Sequence, residues 1–346
     1  FTWNYKSTGS VWDNQLVQEM SGKKMPQVGK VNVSIIEEGQ SRWLAFKSGQ
    51  LDYDKLTSNA VPQALDGTKV KLDLTKLGSK FFQNKDPDLT YNSFNMKDPI
   101  VGGMSLDKVA LRRAIAMSYN QEEGIKQLYK GQAEKAEMFL PEGVQGYSAK
   151  YRSSVGYNPL LANKLLDKFG YKKGKDGYRT LPNGQPLTIK FNTQSSTADV
   201  ISSEMWKKNL DAIGVRSAFK ISNFADNMKE AMQCKYMVWG SAWIADFPEG
   251  ENFAQLLYGP NSGRGNLSCY ESKAYDALYT QALALPPPQR IPLYEKMSRQ
   301  IEADNPWIIH TTRLRSWLMH PQVQGYKAHP MMNTVWQYVD VQPVKK

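Results

Sequence analysis

Histidine and cysteine are scarce in this chain of 346 residues, with three of the first and two of the second. His310, His320 and His329 have no cysteine or carboxylate at ligand spacing, so the local sequence supplies no metal centre. Neither Cys234 nor Cys269 sits in a nucleophile signature. There is no Gly-x-Ser-x-Gly elbow, and no glycine-rich loop is followed by Gly-Lys-Ser/Thr. The common hydrolase and nucleotide-binding chemistries are therefore excluded, and the expectation is a protein without metal or cofactor. Two cysteines in so long a chain permit either two buried thiols or one disulfide, the latter worth roughly 3–4 kcal/mol in the chain-entropy model. No stretch approaches the ~18 uninterrupted apolar residues of a membrane span. The chain begins at Phe1, and neither a basic nor an apolar targeting region follows. The expectation is that any targeting peptide lies upstream or never existed.

What is present describes a globular protein. Hydrophobic residues make up 41% of the chain, and its length suggests two lobes or one large domain with insertions. Lys and Arg outnumber Asp and Glu by 44 to 33, giving +11. The basic residues are scattered among acids without a long run, which reads as surface character and not as a nucleic-acid footprint.

The most informative stretch runs from Tyr236 to Asn252. Its apolar half, Tyr236 to Trp243, has the length and aromatic content of a buried strand, and Asp246, Pro248 and Gly250 end it. A strand thus carries Trp239 and Trp243 towards a loop that holds a carboxylate. In α/β proteins ligands bind outside the carboxyl ends of strands. Glu249 and Glu251 read as solvated loop acids, not as a glycosidase pair.

Along the chain, residues 1–30 read as an irregular surface excursion. Val31, Val33 and Ile35 alternate as a strand, Gln40 to Ser48 reads as a helix, and Lys69 to Leu74 alternates again, giving β-α-β grammar. Pro87 to Pro99 reads as an extended connection. Helices follow from Leu106 to about Tyr119, from Asn120 with capping-box spacing, and from Asn158-Pro159. Lys172 to Tyr178 has too few oxygen ligands for a calcium loop and reads as a turn. Leu187–Phe191, Thr197–Ile213 and Val215–Ile221 form a βαβ unit whose strands should be parallel. A helix near Phe224–Met232 precedes the Trp-rich strand. Two more cover Lys273–Ala284 and Pro288–Asp304, and short strands are expected at Trp307–His310 and Trp317–Met319.

The order of these pieces resembles the bacterial extracellular solute-binding proteins of the oligopeptide and dipeptide class, the capture components of ABC importers. The stretches that carry the likeness are Val31 to Tyr53, Asn92 to Asn120, Leu140 to Tyr147, Tyr157 through Leu187, Leu210 to Val215, Trp243 to Phe253 and Tyr275 to Leu278. The resemblance implies an α/β fold of two lobes with mixed sheets and a hinge. Residues 1–90 and 314–346 would form the first lobe and 91–313 the second, with crossings at Tyr91–Asn95 and Trp307–Thr312. It also implies that an N-terminal part present in relatives is missing here.

By the same resemblance the protein would be a periplasmic monomer that captures oligopeptides by lobe closure, delivers them to membrane permease subunits and catalyses nothing. Asp246 would pair with a ligand α-amino group and Trp243 would pack beside it. Trp239, Phe94, Asn95 and Asn266 are further candidates from their strand-end or loop placement. The loop departs from the family's frequent Asp-Tyr-Pro-Asp-Pro, reading Asp246-Phe-Pro-Glu-Gly250. A sugar, a metal chelate or haem in the same fold is the alternative ligand, and an enzyme acting on peptides or glycans is the further alternative.

Overall fold

The structure, a computed structural model, describes residues 1–36, 38–67, 69–332 and 334–343. The last three residues of the expected returning tail, 344–346, lie outside the described residues. The chain divides into two compact units, Phe1–Asp86 with Leu314–Lys346, and Pro87–Arg313.

The first unit opens with a helix where an irregular excursion was expected. In α1 (Val11–Met20) the Ser10 hydroxyl accepts the Asp13 N–H at 3.1 Å, and Leu16 and Met20, one turn apart, pack against Trp3 and Met25. Val31, Val33 and Ile35 do not form a strand. They are 42%, 80% and 90% exposed, and no described strand pairs with them, so alternation alone supplied no sheet to join. After α2 (Gly39–Lys47), β1 (Tyr53–Lys55), α3 (Val61–Ala64), β2 (Leu65–Asp66) and β3 (Lys69–Val70) follow in sequence. The strand expected over Lys69–Leu74 stops at Val70 and turns into α4 (Leu72–Lys76), which leaves Leu72 exposed and buries Leu74 with Trp43 and Phe46. The strand β4 (Lys80–Lys85) completes this stretch. The β-α-β grammar is not realised, because the described strand pairs of this unit are antiparallel.

In the second unit the expected extended connection contains a paired strand, β5 (Asp88–Phe94). All seven of its residues are buried, so its polar alternates face partners and not water. It is followed by α5 (Leu106–Ser118), α6 (Gln121–Gln127), β6 (Ala133–Lys135) and α7 (Pro159–Lys168). The Asn120 side chain caps α6 through the Glu123 N–H at 3.1 Å, and Asn158 caps α7 through the Leu161 N–H at 2.9 Å, as their spacing predicts. The βαβ unit forms as β7 (Thr188–Thr193), α8 (Thr197–Asp211) and β8 (Arg216–Ile221), with its strands parallel. The helix α9 (Phe224–Met232) leads into β9 (Val238–Ile244), followed by α10 (Glu251–Ala254), α11 (Lys273–Leu283) and α12 (Ile291–Asp304).

The two short strands expected near the end are one strand, β10 (Trp307–Met319), of 13 residues. The intervening residues Thr311, Thr312 and Ser316 are buried despite their polarity. Thr311 shares a 2.7 Å hydroxyl contact with Thr90, which removes the cost of burying either. β10 gives residues 307–313 to the second unit and 314–319 to the first, where β11 (Val323–Gln324) and β12 (Asp340–Val341) close the chain. The sheet of the second unit runs β10-β5-β9-β7-β8, antiparallel as far as β9 and parallel beyond it. Tyr91–Asn95 and Trp307–Thr312 therefore lie inside this unit.

Two buried arginines hold its helices by their termini. The Arg112 guanidinium donates to the carbonyls of Asp304, Val101 and Gly103, and burial draws its pKa down to about 10. Arg179 donates to the Ile213 and Tyr171 carbonyls and to Asp167. Both use the fixed fork of the side chain to satisfy carbonyls that helix and loop ends leave open.

His310 sits at the register shift of β10, and burial pushes its imidazole down to about 3. Its folded pKa is depressed, so the unfolded chain binds the extra proton between about pH 6.5 and 3, and stability is lost as pH falls through that window. We expect this ring to cost about 2 kcal/mol between pH 7.5 and pH 5. Urea denaturation at both pH values checks it. The pH slope should shrink by that amount in His310→Gln, and an unchanged slope refutes the assignment.

Candidate ligand-binding site

The register of β9 decides what it can present. It pairs antiparallel with β5 over its whole length, from Phe94 opposite Val238 to Asp88 opposite Ile244. The Asn95 N–H donates to the Met237 carbonyl at 3.0 Å and the Ala245 N–H to the Pro87 carbonyl at 2.9 Å, so the odd-numbered residues turn their backbone groups towards β5. Val238, Gly240, Ala242 and Ile244 turn theirs to the other edge. There β7 pairs only as far as Trp239. The Gly240 N–H closes that pairing on the Asn192 carbonyl, and beyond it, among the described residues, no strand takes the groups of Ala242 and Ile244. Their side-chain positions are exposed as well. This is a short open strand edge at two alternate residues, Ala242 and Ile244, which begins just past Gly240.

Asp246 lies just past the strand end and is exposed. The loop that carries it is held from within by Asn252, which is 1% exposed. The Asn252 side-chain oxygen accepts the Trp243 indole N–H at 2.9 Å and the Asp246 backbone N–H at 3.1 Å, and its amide donates to Asp246 Oδ2 at 3.2 Å. One carboxylate oxygen of Asp246 is thereby positioned, and the other has no hydrogen-bond partner among the described residues. The neighbouring acids are not available in the same way. Glu249 takes the Tyr294 hydroxyl at 2.9 Å and Arg290 at 3.1 Å, while Glu251 takes the Tyr279 hydroxyl at 2.7 Å. Gly250 is required by crowding, since a Cβ there would meet Tyr294 Cε2 at 2.7 Å and the Gln145 carbonyl at 2.9 Å.

The structure brings Asp246 and Trp243 together through Asn252. It places the other candidates in the interior. Phe94 is fully buried in β5, and Trp239 packs with Ala231 and Tyr236. Asn95 donates to the Cys234 and Tyr236 carbonyls and accepts from the Lys97 N–H. Asn266 donates to the Tyr258 and Tyr270 carbonyls and accepts from the Tyr270 N–H. Their amides are spent on backbone. Cys234 and Cys269 are joined as a disulfide, tying the turn before β9 to the loop that Asn266 folds. Sequence reasoning passed over Asn252, Gly240 and Ala242. The small residues at 240 and 242, alternating with Trp239, Ser241 and Trp243, were the available signal.

An open strand edge that ends in a positioned, exposed carboxylate is equipment for holding an extended ligand. Residues 4–265 match the profile of the bacterial extracellular solute-binding proteins, family 5 Middle, and the chain belongs to that family. Among curated relatives, the oligopeptide-binding protein OppA of Bacillus subtilis (strain 168) is 22% identical over 281 residues, covering 80% of this chain and 48% of that protein. The chain thus spans about half the length of this relative. Among solved structures, the oligopeptide-binding protein AppA from Bacillus subtilis, in complex with a nonapeptide, superposes with a TM-score of 0.76 at 15% identity, over 89% of this chain and 60% of that one. NikZ from Campylobacter jejuni, in complex with Ni(L-His), gives 0.73 at 16% identity, over 88% and 60%. At such identities these two likenesses concern the fold, which is the α/β fold of periplasmic binding proteins. No helix among the described residues is long and apolar enough to cross a membrane.

Asn252→Ala removes three hydrogen bonds from a buried amide. It should destabilise the second unit by roughly 2–3 kcal/mol and loosen the loop around Asp246. Urea denaturation measures the first effect. Increased solvent quenching of Trp243 fluorescence, read against a Trp243→Phe control, measures the second.

Proposed function

We propose that the protein is the substrate-capturing component of an ABC importer, binding oligopeptides outside the cytoplasmic membrane and handing them to permease subunits. It acts in the periplasm as a monomer and breaks no bond. The observation that carries this reading is the open edge of β9 with Asp246 at its end. An extended peptide can add to that edge through its own backbone groups, which every sequence possesses. Its α-amino group can pair with the other carboxylate oxygen of Asp246, and Trp243 supplies an aromatic body beside it. Recognition of backbone and terminus tolerates many side chains, which suits a protein that gathers nutrients. What relatives are named for binding, dipeptides and tripeptides as well as oligopeptides, agrees with peptide capture.

Titration calorimetry with a mixed tri- to pentapeptide pool tests the proposal. Asp246→Asn keeps the loop hydrogen bonds and removes the charge. It should weaken binding by roughly 2 kcal/mol, about thirtyfold, with little effect on folding. N-terminally acetylated peptides should lose affinity for the wild-type chain to a similar extent and be indifferent to the substitution. Equal affinities in both proteins would rule out amino-terminal capture and turn the search to sugars and metal chelates.

A further inference from the structure

Asn92 lies opposite Gly240 in the β5–β9 ladder and is 7% exposed. Its side-chain oxygen is 2.7 Å from His310 Nε2. The other ring nitrogen of His310, Nδ1, is buried without a partner. A stranded lone pair costs less than a stranded N–H, so the proton belongs on Nε2 and is donated to Asn92. That bond fixes which way the carboxamide faces. The rings of Tyr119 and Trp206 lie 4.3 and 6.2 Å from the imidazole and keep it in place.

With its oxygen held inward, the Asn92 amide nitrogen points over Gly240, 3.2 Å from where a Cβ on that residue would stand. It has no acceptor among the described residues, and it is not one of the sealed, unpartnered atoms of the interior. Gly240 itself is exposed. A glycine at this point of the strand keeps the space above the amide clear.

The geometry points to Asn92 as a specificity-determining contact beside the start of the open β9 edge, an oriented N–H donor for a ligand side chain that reaches over the face of Gly240. The ligand class it selects is an oligopeptide carrying an oxygen acceptor, such as a carboxamide, carboxylate or hydroxyl, at the residue that crosses this point. The assignment rests on the peptide-capture reading above and adds a side-chain preference to it. Gly240 is six residues from Asp246, about 20 Å along a strand. A dipeptide held at Asp246, at most about 7 Å long, does not reach the amide, and an extended oligopeptide does.

The test is calorimetric titration of the full chain with alanine heptapeptides in which each interior position in turn carries Asn or Leu, side chains of similar size. At one position the Asn peptide should bind about tenfold tighter than its Leu counterpart, the worth of one good hydrogen bond. Asn92→Ala should bring that ratio to about one. So should Gly240→Ala, which sets a methyl group 3.2 Å from the amide, between it and the ligand. A preference that survives both substitutions, or no preference at any position of the wild-type chain, overturns the assignment while peptide capture stands. Absence of heptapeptide binding to the wild-type chain overturns both.

Discussion

The antiparallel ladder between β5 and β9 is the constraint on which the rest depends. Seven consecutive pairs leave no freedom to slip, because moving β9 by one residue would bring Gly240, Ala242 and Ile244 to the β5 side and expose Trp239, a buried core residue. The register therefore fixes at once which aromatic residues enter the core and which backbone groups face outward. Since β7 ends its pairing at Trp239, the same register turns the second half of β9 into an edge. The site follows from where one strand stops and its neighbour continues.

Around that ladder the molecule builds its frame from carboxamides. Asn92, Asn95, Asn252 and Asn266 are all buried, and each bridges groups from separate segments. A carboxamide can accept and donate at one place without the desolvation cost of an ion. Asn95 and Asn266 tie loop carbonyls, Asn252 orients an indole and a carboxylate, and Asn92 accepts a hydrogen bond from a neutral imidazole. Charged side chains near the loop are treated differently. Glu249 and Glu251 are tied to tyrosines or arginine, whereas Asp246 is held through one oxygen by Asn252. Carboxamides and two buried arginines hold the scaffold, and the exposed Asp246 is not tied to a tyrosine or an arginine among the described residues.

Much of the second unit was legible because its signals are local. Asn120 and Asn158 cap the helices that their spacing announces, and the β7-α8-β8 unit forms with parallel strands. The first unit was harder. Val31, Val33 and Ile35 alternate as well as any strand in the chain, yet they remain exposed and unpaired, since a strand exists only when another segment accepts its hydrogen bonds. Helix α1 was overlooked because its apolar positions are interrupted by polar ones, and its stability comes from Leu16 and Met20 meeting Trp3 and Met25. The middle of β10 was hidden by its polar residues, whose burial makes sense only with Thr90 and Asp88 alongside.

The sequence by itself determined that a Trp-rich strand ends in a loop with Asp246 as its first acid, and that two cysteines were available to be joined or left free. These follow from composition, periodicity and the turn residues Pro248 and Gly250, which act over a few positions. Only the tertiary structure decided that Cys234 meets Cys269, that Asn252 rather than a second acid governs the loop, and that the edge beyond Gly240 is open. It alone places His310 against Asn92, residues 218 positions apart. The physical reason is the same in each case. A hydrogen bond or an unpaired edge is a relation between segments, and the periodicity of one segment carries no record of which other will lie beside it.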